Sequence, residues 1–322
     1  MKRRNLLMLP LAVALPSTAQ TPRPYRIAWI STDRKDAPSP NLEAFRDGLR
    51  DLGYVEGRDV VVDVWLGDGA AERVERLMPD VIRSQPDVVV AAGGSALFAM
   101  LRTGIKMPVV FSLSADPVEA KIVESFARPG GNMTGISLFT LALVGKRLEL
   151  IKEVVPTAKR IAVVANPQHP GEHKEREAAR DAASKLGLTV RHFSASSAAQ
   201  LEVALADIAR NRDDAVLAFA DGFTAGFAGR FAAFSLQSRI PTVDGWAPFA
   251  EAGNLMIYGP VVHDVFRRLA TFVDRIRKGA KPGDLPIELP TKVELVVNAT
   301  TARAIGVTFP PSVLARADTV IR

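Results

Sequence analysis

Apolar and polar residues follow one another along the chain in a pattern that occurs twice. Residues 26–112 and residues 160–245 can be aligned, with YRIAWISTD matching KRIAVVANP, EAFRDGLRDLGY matching EAARDAASKLGL, PDVVVAAGG matching DDAVLAFADG and KMPVVFS matching RIPTVDG. In each half, short continuous apolar runs alternate with amphipathic stretches, which predicts strand, helix, strand, helix, strand, helix, strand. Continuous apolar strands are typical of parallel sheets that helices cover on both faces.

The duplication predicts an α/β protein with two doubly wound, parallel-sheet lobes. In each lobe the loops after the strands gather at one edge, so a cleft between the two edges is the expected binding site. After the second unit, the pattern predicts a helix over 262–278, a strand over 287–298 and a short helix over 299–306. This remainder is too short for a third lobe, and we expect it to complete the first two.

The chain would then cross between the lobes three times, near Phe139, near Gly259 and between Gly279 and Pro290, and three crossings form a hinge. The expected division is 24–139 with about 260–279 in lobe one, and 140–259 with about 280–322 in lobe two.

The amino terminus has the pattern of an export signal. Lys2, Arg3 and Arg4 precede an apolar run over 6–15, and Ser17-Thr18-Ala19 supplies the small residues that a signal peptidase requires. We predict cleavage after residue 19 and a mature protein in the periplasm. A membrane anchor is the weaker alternative, because the run is half of the ~20 residues that span a bilayer. The arginine pair partly resembles a twin-arginine signal, so the export route stays open.

Charge and composition exclude several function classes. The formal net charge of +6 becomes +3 without the three basic residues of the signal, 38 basic against 35 acidic, which does not indicate nucleic-acid binding. The absence of cysteine excludes disulfides, thiolate metal ligands and a cysteine nucleophile. The length of 322 residues favours two domains. We expect no metal and no cofactor.

Gly93-Gly94-Ser95 follows an apolar strand and precedes a helical pattern. Glycines let the backbone approach a ligand, and the first amides of a helix favour an anion such as a carboxylate. The alternative is a plain turn between strand and helix. The spacing matches neither a dinucleotide-binding loop nor a P-loop.

Two enzymatic interpretations are weaker. Gly93-Gly94-Ser95 is the first half of a nucleophile elbow, and Ser95, Asp244 and His263 follow the chain order of a hydrolase triad. However, Leu97 occupies the position of the closing glycine, and His263 lies in a predicted helix. The stretch HPGEH over 169–173 matches an inverted zinc-peptidase motif, but its proline and glycine predict a solvated strand-to-helix connection instead.

Acids and aromatic residues follow the predicted strands. Asp116 before Pro117 is typical of a helix N-cap, and it also faces the expected cleft. Asp221 and Asp244 end strands of the second unit, so acids from both lobes would converge on the cleft. Three aromatic residues near these ends are candidates either for the pocket wall or for plain packing, namely Phe223, Trp246 and Tyr258. A stripe at helical spacing is expected in the core, namely Phe227, Phe231 and Phe234.

Several long motifs together resemble the ABC-transporter substrate-binding protein family related to tryptophan- and tyrosine-binding proteins. They include SADPVEAKIVESFARPGGNMTGIS, GKRLELIKEVVPTAKRIAVVANP and PTKVELVVNATTARAIGVTFPPSVLARAD, and the resemblance covers the whole chain. It implies a type I periplasmic-binding fold that closes on a small solute and delivers it to an ABC permease. By position it also implies ligand contacts at Ser31, Thr32, Gly94, Ser95, Asp116, Asn166, Asp221 and the segment around Asp244.

The ligand class stays open at this point. Characterised amino-acid binders of the family carry serines or threonines in these loops, whereas this chain has Asn166-Pro167 and Asp221-Gly222-Phe223. An amino acid and an aromatic or other organic carboxylate are both compatible, and we expect a monomer. A receptor for a membrane sensor is an alternative. The effector domain of a repressor would need a helix-turn-helix where the export signal stands.

Overall fold

Two separate β-sheets, each with helices on both faces, organise the chain in the computed structural model. The structure describes residues 23–36, 39–138, 140–169 and 171–322. The predicted export signal at 1–19 lies outside the described residues, and so does Phe139, where the first crossing was expected.

The first sheet contains five parallel strands in the order β2-β1-β3-β4-β5. Its helices follow the strands in the alternation that the sequence predicts. The elements are β1 (Tyr25–Ser31), α1 (Pro40–Asp51), β2 (Val60–Leu66), α2 (Ala71–Arg83), β3 (Val88–Ala92), α3 (Gly94–Leu101), β4 (Val109–Leu113) and β5 (Met133–Ser137).

The second sheet contains seven strands in the order β12-β11-β10-β9-β8-β6-β7, and only the β10–β11 pair is antiparallel. Its elements are α4 (Thr140–Val154), β6 (Arg160–Ala165), α5 (Glu172–Lys185), β7 (Thr189–Ser194), α6 (Ala198–Asn211), β8 (Ala215–Ala218), α7 (Gly222–Gly226), α8 (Ala228–Ser238), β9 (Thr242–Asp244), α9 (Ala247–Glu251), β10 (Met256–Pro260), β11 (Val293–Asn298), α11 (Ala299–Ile305), α12 (Pro311–Arg316) and β12 (Thr319–Ile321), with α10 (Val262–Arg277) between β10 and β11.

The alternation of side chains along each strand produces a core on both faces of each sheet. In β1, Ile27 and Trp29 belong to one buried cluster, and Ala28 and Ile30 belong to another. The predicted phenylalanine stripe is confirmed as core, because Phe231 and Phe234 are buried in the second lobe and Phe227 packs against them. In the described part of the chain, no helix has the length and apolarity needed to cross a bilayer.

Helix α10 returns to the first sheet and packs against α1. Its residues Phe266 and Leu269 share a buried cluster with Trp29 and Phe45. The helices approach closely at Gly48, where a Cβ would overlap the carbonyl oxygen of Arg267.

The segment that follows α10 also stays with the first sheet, although residues from about 280 onwards were expected in lobe two. A short 3-10 turn (Pro282–Asp284) leads into Glu288, whose amide donates to the carbonyl of Gly135 in β5. Because Glu288 is hydrogen-bonded along β5, the predicted strand over 287–298 begins only at Val293. We therefore propose that the third crossing lies between residues 288 and 293.

Replacing Gly48 by alanine tests the close contact between α1 and α10. We expect Gly48→Ala to lower the free energy of unfolding by about 1–3 kcal/mol, because the new methyl group overlaps the α10 backbone. Gly145→Ala is the matched control, since Gly145 is also inside a helix but its Cβ would lie 3.6 Å from Ala182 Cβ. The control is expected to change stability by less than about 1 kcal/mol. Equal effects in urea unfolding would contradict the close packing of α1 and α10.

Candidate functional site

The carboxyl ends of the strands in one sheet face those in the other, and loops from the two lobes touch. Ser114, after β4, is hydrogen-bonded through its Oγ to Nε2 of His169, after β6. A Cβ on Gly171 would lie 3.0 Å from Ala115 Cβ, and a Cβ on Gly222 would lie 3.9 Å from Thr32 Oγ1. The loops of the two lobes are therefore in contact along this boundary.

Three of the predicted site residues in the second lobe lie at the ends of neighbouring strands, in the order β9, β8, β6. Asn166 Nδ2 donates to Asp221 Oδ2 over 2.9 Å. The other oxygen of Asp221 accepts from the Thr224 amide over 2.8 Å and caps α7. Asp244 Oδ1 accepts from the Trp246 amide over 3.0 Å. The structure thus brings Asn166 and Asp221 into direct contact and gives Asp221 a structural role that the sequence did not indicate.

The first lobe contributes a glycine turn and serines. Gly93 has a φ of 95°, which favours glycine, and its amide donates to Ser112 Oγ over 3.1 Å. Gly94 begins α3, and Ser95 lies half-buried in the first turn of that helix. Ser31 is buried at the end of β1, with its Oγ accepting from the Asp33 amide over 3.2 Å. The predicted arrangement of a strand, a glycine turn and a helix start is confirmed.

Asp116 caps a turn and not the helix that the sequence predicts. Its Oδ1 accepts from the amides of Val118 and Glu119 over 2.8 and 3.1 Å. Residues 117–121 form consecutive turns without a helix. Asp116 also lines an interlobe cavity of about 290 Å³, together with residues of both lobes and of the start of α4, among them Ser114, Leu141, Gly171 and Glu175.

Sequence reasoning missed Arg147, which is fully buried in α4 behind the second lobe's strand ends. Its Nε donates to the Tyr258 carbonyl over 2.8 Å. Its guanidinium packs against Gly245, where a Cβ would lie 2.7 Å from Arg147 Cζ. Within the described residues, neither Nη1 nor Nη2 has a hydrogen-bond partner. The available signal was its helical spacing from the apolar residues Val144 and Ile151, which places an arginine on the buried face.

Two buried carboxyls lie near Arg147 and titrate abnormally. Burial raises the pKa of Glu175, in α5, to about 8 and the pKa of Asp244 to about 7, and the positive charge of Arg147 opposes both shifts. The amides of Gly245 and Trp246 further favour ionised Asp244. Burial also lowers the pKa of Arg147. No described residue forms an ion pair with Arg147, so the electrostatic attraction between Arg147 and these two carboxyls acts over a longer distance.

In the segment 169–173, Pro170 lies outside the described residues and His173 is exposed as predicted, but His169 and Glu172 are not solvated. His169 and Glu172 are each only 8% exposed. Glu172 begins α5 and lies 2.7 Å from Nε2 of His192, through its Oε1. Within the described chain, no group of three or more histidines and acids has metal-binding geometry. The prediction was wrong because the connection packs against the other lobe, which is not visible in local sequence.

The residues of the hydrolase alternative are separated by the fold. His263 is 54% exposed on α10, 3.9 Å from Asp47 and 3.8 Å from Asp264. Asp244 is buried in the second lobe. In the part of the chain that the structure describes, no hydrogen bond or ion pair joins any two of Ser95, Asp244 and His263. The triad order in the sequence therefore does not correspond to a triad in the structure.

The aromatic candidates have different positions. Trp246 extends from the second lobe to the first, where it packs against the cluster that contains Trp29 and Phe266. Its buried Nε1 has no partner among the described residues. Tyr258 packs against the second lobe's own core, and Phe223 stacks on Phe227 with ring centroids 4.9 Å apart. Of the three, only Trp246 joins the lobes.

Comparison with known proteins agrees with this architecture. Residues 28–321 match the family model described as ABC transporter substrate binding protein. The chain belongs to this family. A relative from Clostridioides difficile strain R20291, named tyrosine-binding protein, is 22% identical over 270 residues, which are 83% of this chain and 77% of the relative.

Solved structures show that this substrate-binding protein has the type I periplasmic-binding fold. A conserved domain protein from Vibrio cholerae superposes with a TM-score of 0.84 at 28% identity, covering 92% of this chain and 99% of that one. The ABC domain from Streptococcus pneumoniae in complex with L-Trp also gives 0.84, at 24% identity, covering 92% and 100%. Proteins of the family act outside the cytoplasm, bind small molecules and work with ABC permeases.

The buried carboxyl of Glu175 predicts a pH-dependent stability. The pKa of Glu175 is raised in the folded protein. Its contribution to the free energy of unfolding is therefore fully present below its pKa of 4.5 in the unfolded chain, and it is lost as the pH rises towards about 8. We expect Glu175→Gln to remove this loss. The variant should gain stability relative to the wild type by up to about 1.4 kcal/mol per pH unit between pH 5 and pH 8. Urea unfolding at several pH values measures this difference, and a constant gap would contradict the assignment.

Proposed function

We propose that this substrate-binding protein captures a small organic solute between its lobes in the periplasm and delivers it to an ABC permease as a monomer. The observation that supports this proposal is the contact between the loops of the two lobes, which brings polar strand ends of both lobes to one boundary. Residues 1–19 remain the predicted export signal. Capture and delivery require no covalent step, and every proposed contact is a hydrogen bond, an ion pair or packing.

Polar groups at the cleft favour a solute with both an anionic and a cationic group. The turn at Gly93 and the first amides of α3 suit a carboxylate. Asp221 and Asp244 suit an ammonium group. Trp246 places an aromatic side chain at the same boundary. Together with the named tyrosine-binding relative and the L-Trp complex, these features favour an aromatic amino acid over a plain aromatic carboxylate.

Closure would follow from binding to both lobes. A solute that contacts α3 and Asp116 in one lobe, and Asp221 in the other, has more contacts in the closed form than in the open form. It stabilises the closed form by that difference in affinity alone. The chain segments around residues 139, 261 and 288–293 would serve as the hinge, because they connect the two sheets.

A thermal-unfolding screen tests the ligand class. We expect L-tyrosine or L-tryptophan to raise the midpoint of unfolding, since a ligand at about 100 times its dissociation constant adds about 2.7 kcal/mol of stability. Benzoate, which lacks the ammonium group, should give a smaller rise at the same concentration. A rise with benzoate but with neither amino acid would contradict the amino-acid proposal and leave an organic acid as the solute.

A matched pair of variants tests the cleft itself. Asp116 and Asp214 both accept two backbone amides through one oxygen, but Asp214 does so at the opposite, amino-terminal edge of the second sheet. We expect Asp116→Asn to reduce the affinity for the solute by at least about tenfold, as the loss of one charged hydrogen bond implies. Asp214→Asn should leave the affinity unchanged. Calorimetric titration measures both, and equal affinities would remove Asp116 from the site.

A further inference from the structure

The hydrogen bond between Ser114 and His169 joins the two lobes directly, and the proposed capture of a solute does not use it. Ser114 belongs to the loop after β4, and His169 belongs to the loop after β6. The backbone on the Ser114 side is fixed by the hinge, because Thr140 Oγ1 at the start of α4 donates to the Ser114 carbonyl over 2.7 Å. This contact therefore lies between the hinge and the cleft.

Both partners are buried at the boundary between the lobes. Ser114 is 6% exposed and His169 is 8% exposed. The neighbouring contact of Gly171 with Ala115, across the same boundary, covers the imidazole, whose Cε1 lies 3.4 Å from a Cβ placed on Gly171. Separation of the lobes would break the hydrogen bond and expose the imidazole to solvent.

The charged and titratable groups around His169 come from several elements. Glu175 in α5 is the nearest, with its Oε2 3.6 Å from Nδ1. Glu172, which begins α5, and Asp221, after β8, act on it at longer range and favour the protonated ring. Arg147 in α4 lies behind Glu175 and acts on that carboxyl.

We propose that neutral His169 is a latch between the lobes, and that its protonation at mildly acidic pH shifts the protein towards the open form. The ring in the closed form can accept or donate one hydrogen bond to Ser114 but is only 8% exposed, so a positive charge there would be poorly solvated. The imidazolium is accommodated in the open form, where solvent reaches it. The latch acts on the lobes themselves and does not depend on which solute is bound.

The direction of the effect follows from the proton balance. Burial lowers the pKa of His169 in the closed form despite the opposing charges of Asp221 and Glu172. The pKa of Glu175 is raised to about 8, so this nearest carboxyl is itself protonated at pH 7 and does not act as a counter-ion. Closure is then favoured above the ordinary histidine pKa of about 6.5. Below it, the ratio of closed to open protein falls by up to about tenfold per pH unit.

Fluorescence transfer between labels on the two lobes tests this latch. The chain has no cysteine, so Ile82→Cys in α2 and Val203→Cys in α6, both at exposed positions, give one label on each lobe. We expect the closed fraction to fall as the pH is lowered from 7 to 5.5, a range in which Glu175 stays protonated, both without solute and with L-tryptophan. In this labelled background, His169→Gln should abolish the pH dependence, because glutamine reaches as far as Nε2 and does not titrate.

Two further variants make the result decisive. Ser114→Ala should lower the closed fraction at pH 7, since the latch loses its partner. His192→Gln, at the half-buried histidine paired with Glu172, should keep the wild-type pH dependence. The latch is overturned if His169→Gln titrates like the wild type, if the wild type does not respond to pH, or if it is open at pH 7 in both conditions. L-tryptophan that fails to bind while the pH response remains would count against the proposed solute and not against the latch.

Discussion

The direction of the strands is the constraint on which this structure depends. All the strands of the first sheet, and β6, β8, β9 and β10 of the second, run parallel, so their carboxyl ends and the loops that follow gather at one edge of each sheet. Polar side chains at the ends of neighbouring strands therefore lie within hydrogen-bonding distance of one another, as Asn166 and Asp221 do. Because the two edges face one another, a solute between them would contact both lobes.

The second lobe carries unusual buried charge at this edge. Arg147 fits there because Gly245 has no side chain and because Gly259 lets β10 approach the carbonyl of Gly245. A fully buried guanidinium is costly unless opposite charge is near. Asp244, whose pKa is raised by burial to about 7, provides part of that charge, whereas Glu175, with a pKa of about 8, is mostly neutral at pH 7. The edge is thus polar but only weakly ionised around Glu175.

The sequence predicted the features that depend on local periodicity. The duplication, the parallel sheets, the glycine turn at Gly93 and the long helix α10 follow from apolar spacing and turn residues, which act over a few positions. The positions of Arg147, His169 and the segment 280–288 were not predicted. Each is determined by packing between segments far apart in the chain, such as Glu288 with β5. The family resemblance indicated candidate loops for ligand contacts, but not that His169 joins the lobes.

A crystal structure of the protein with its solute tests whether the strand ends of both lobes hold the solute. The solute that gives the largest rise in the unfolding midpoint would be used for crystallisation. We expect one molecule of this solute between the lobes, in contact with the start of α3 or with Asp116 on one side and with Asp221 or Asp244 on the other. A solute bound to one lobe only, or at a site away from these strand ends, would contradict it.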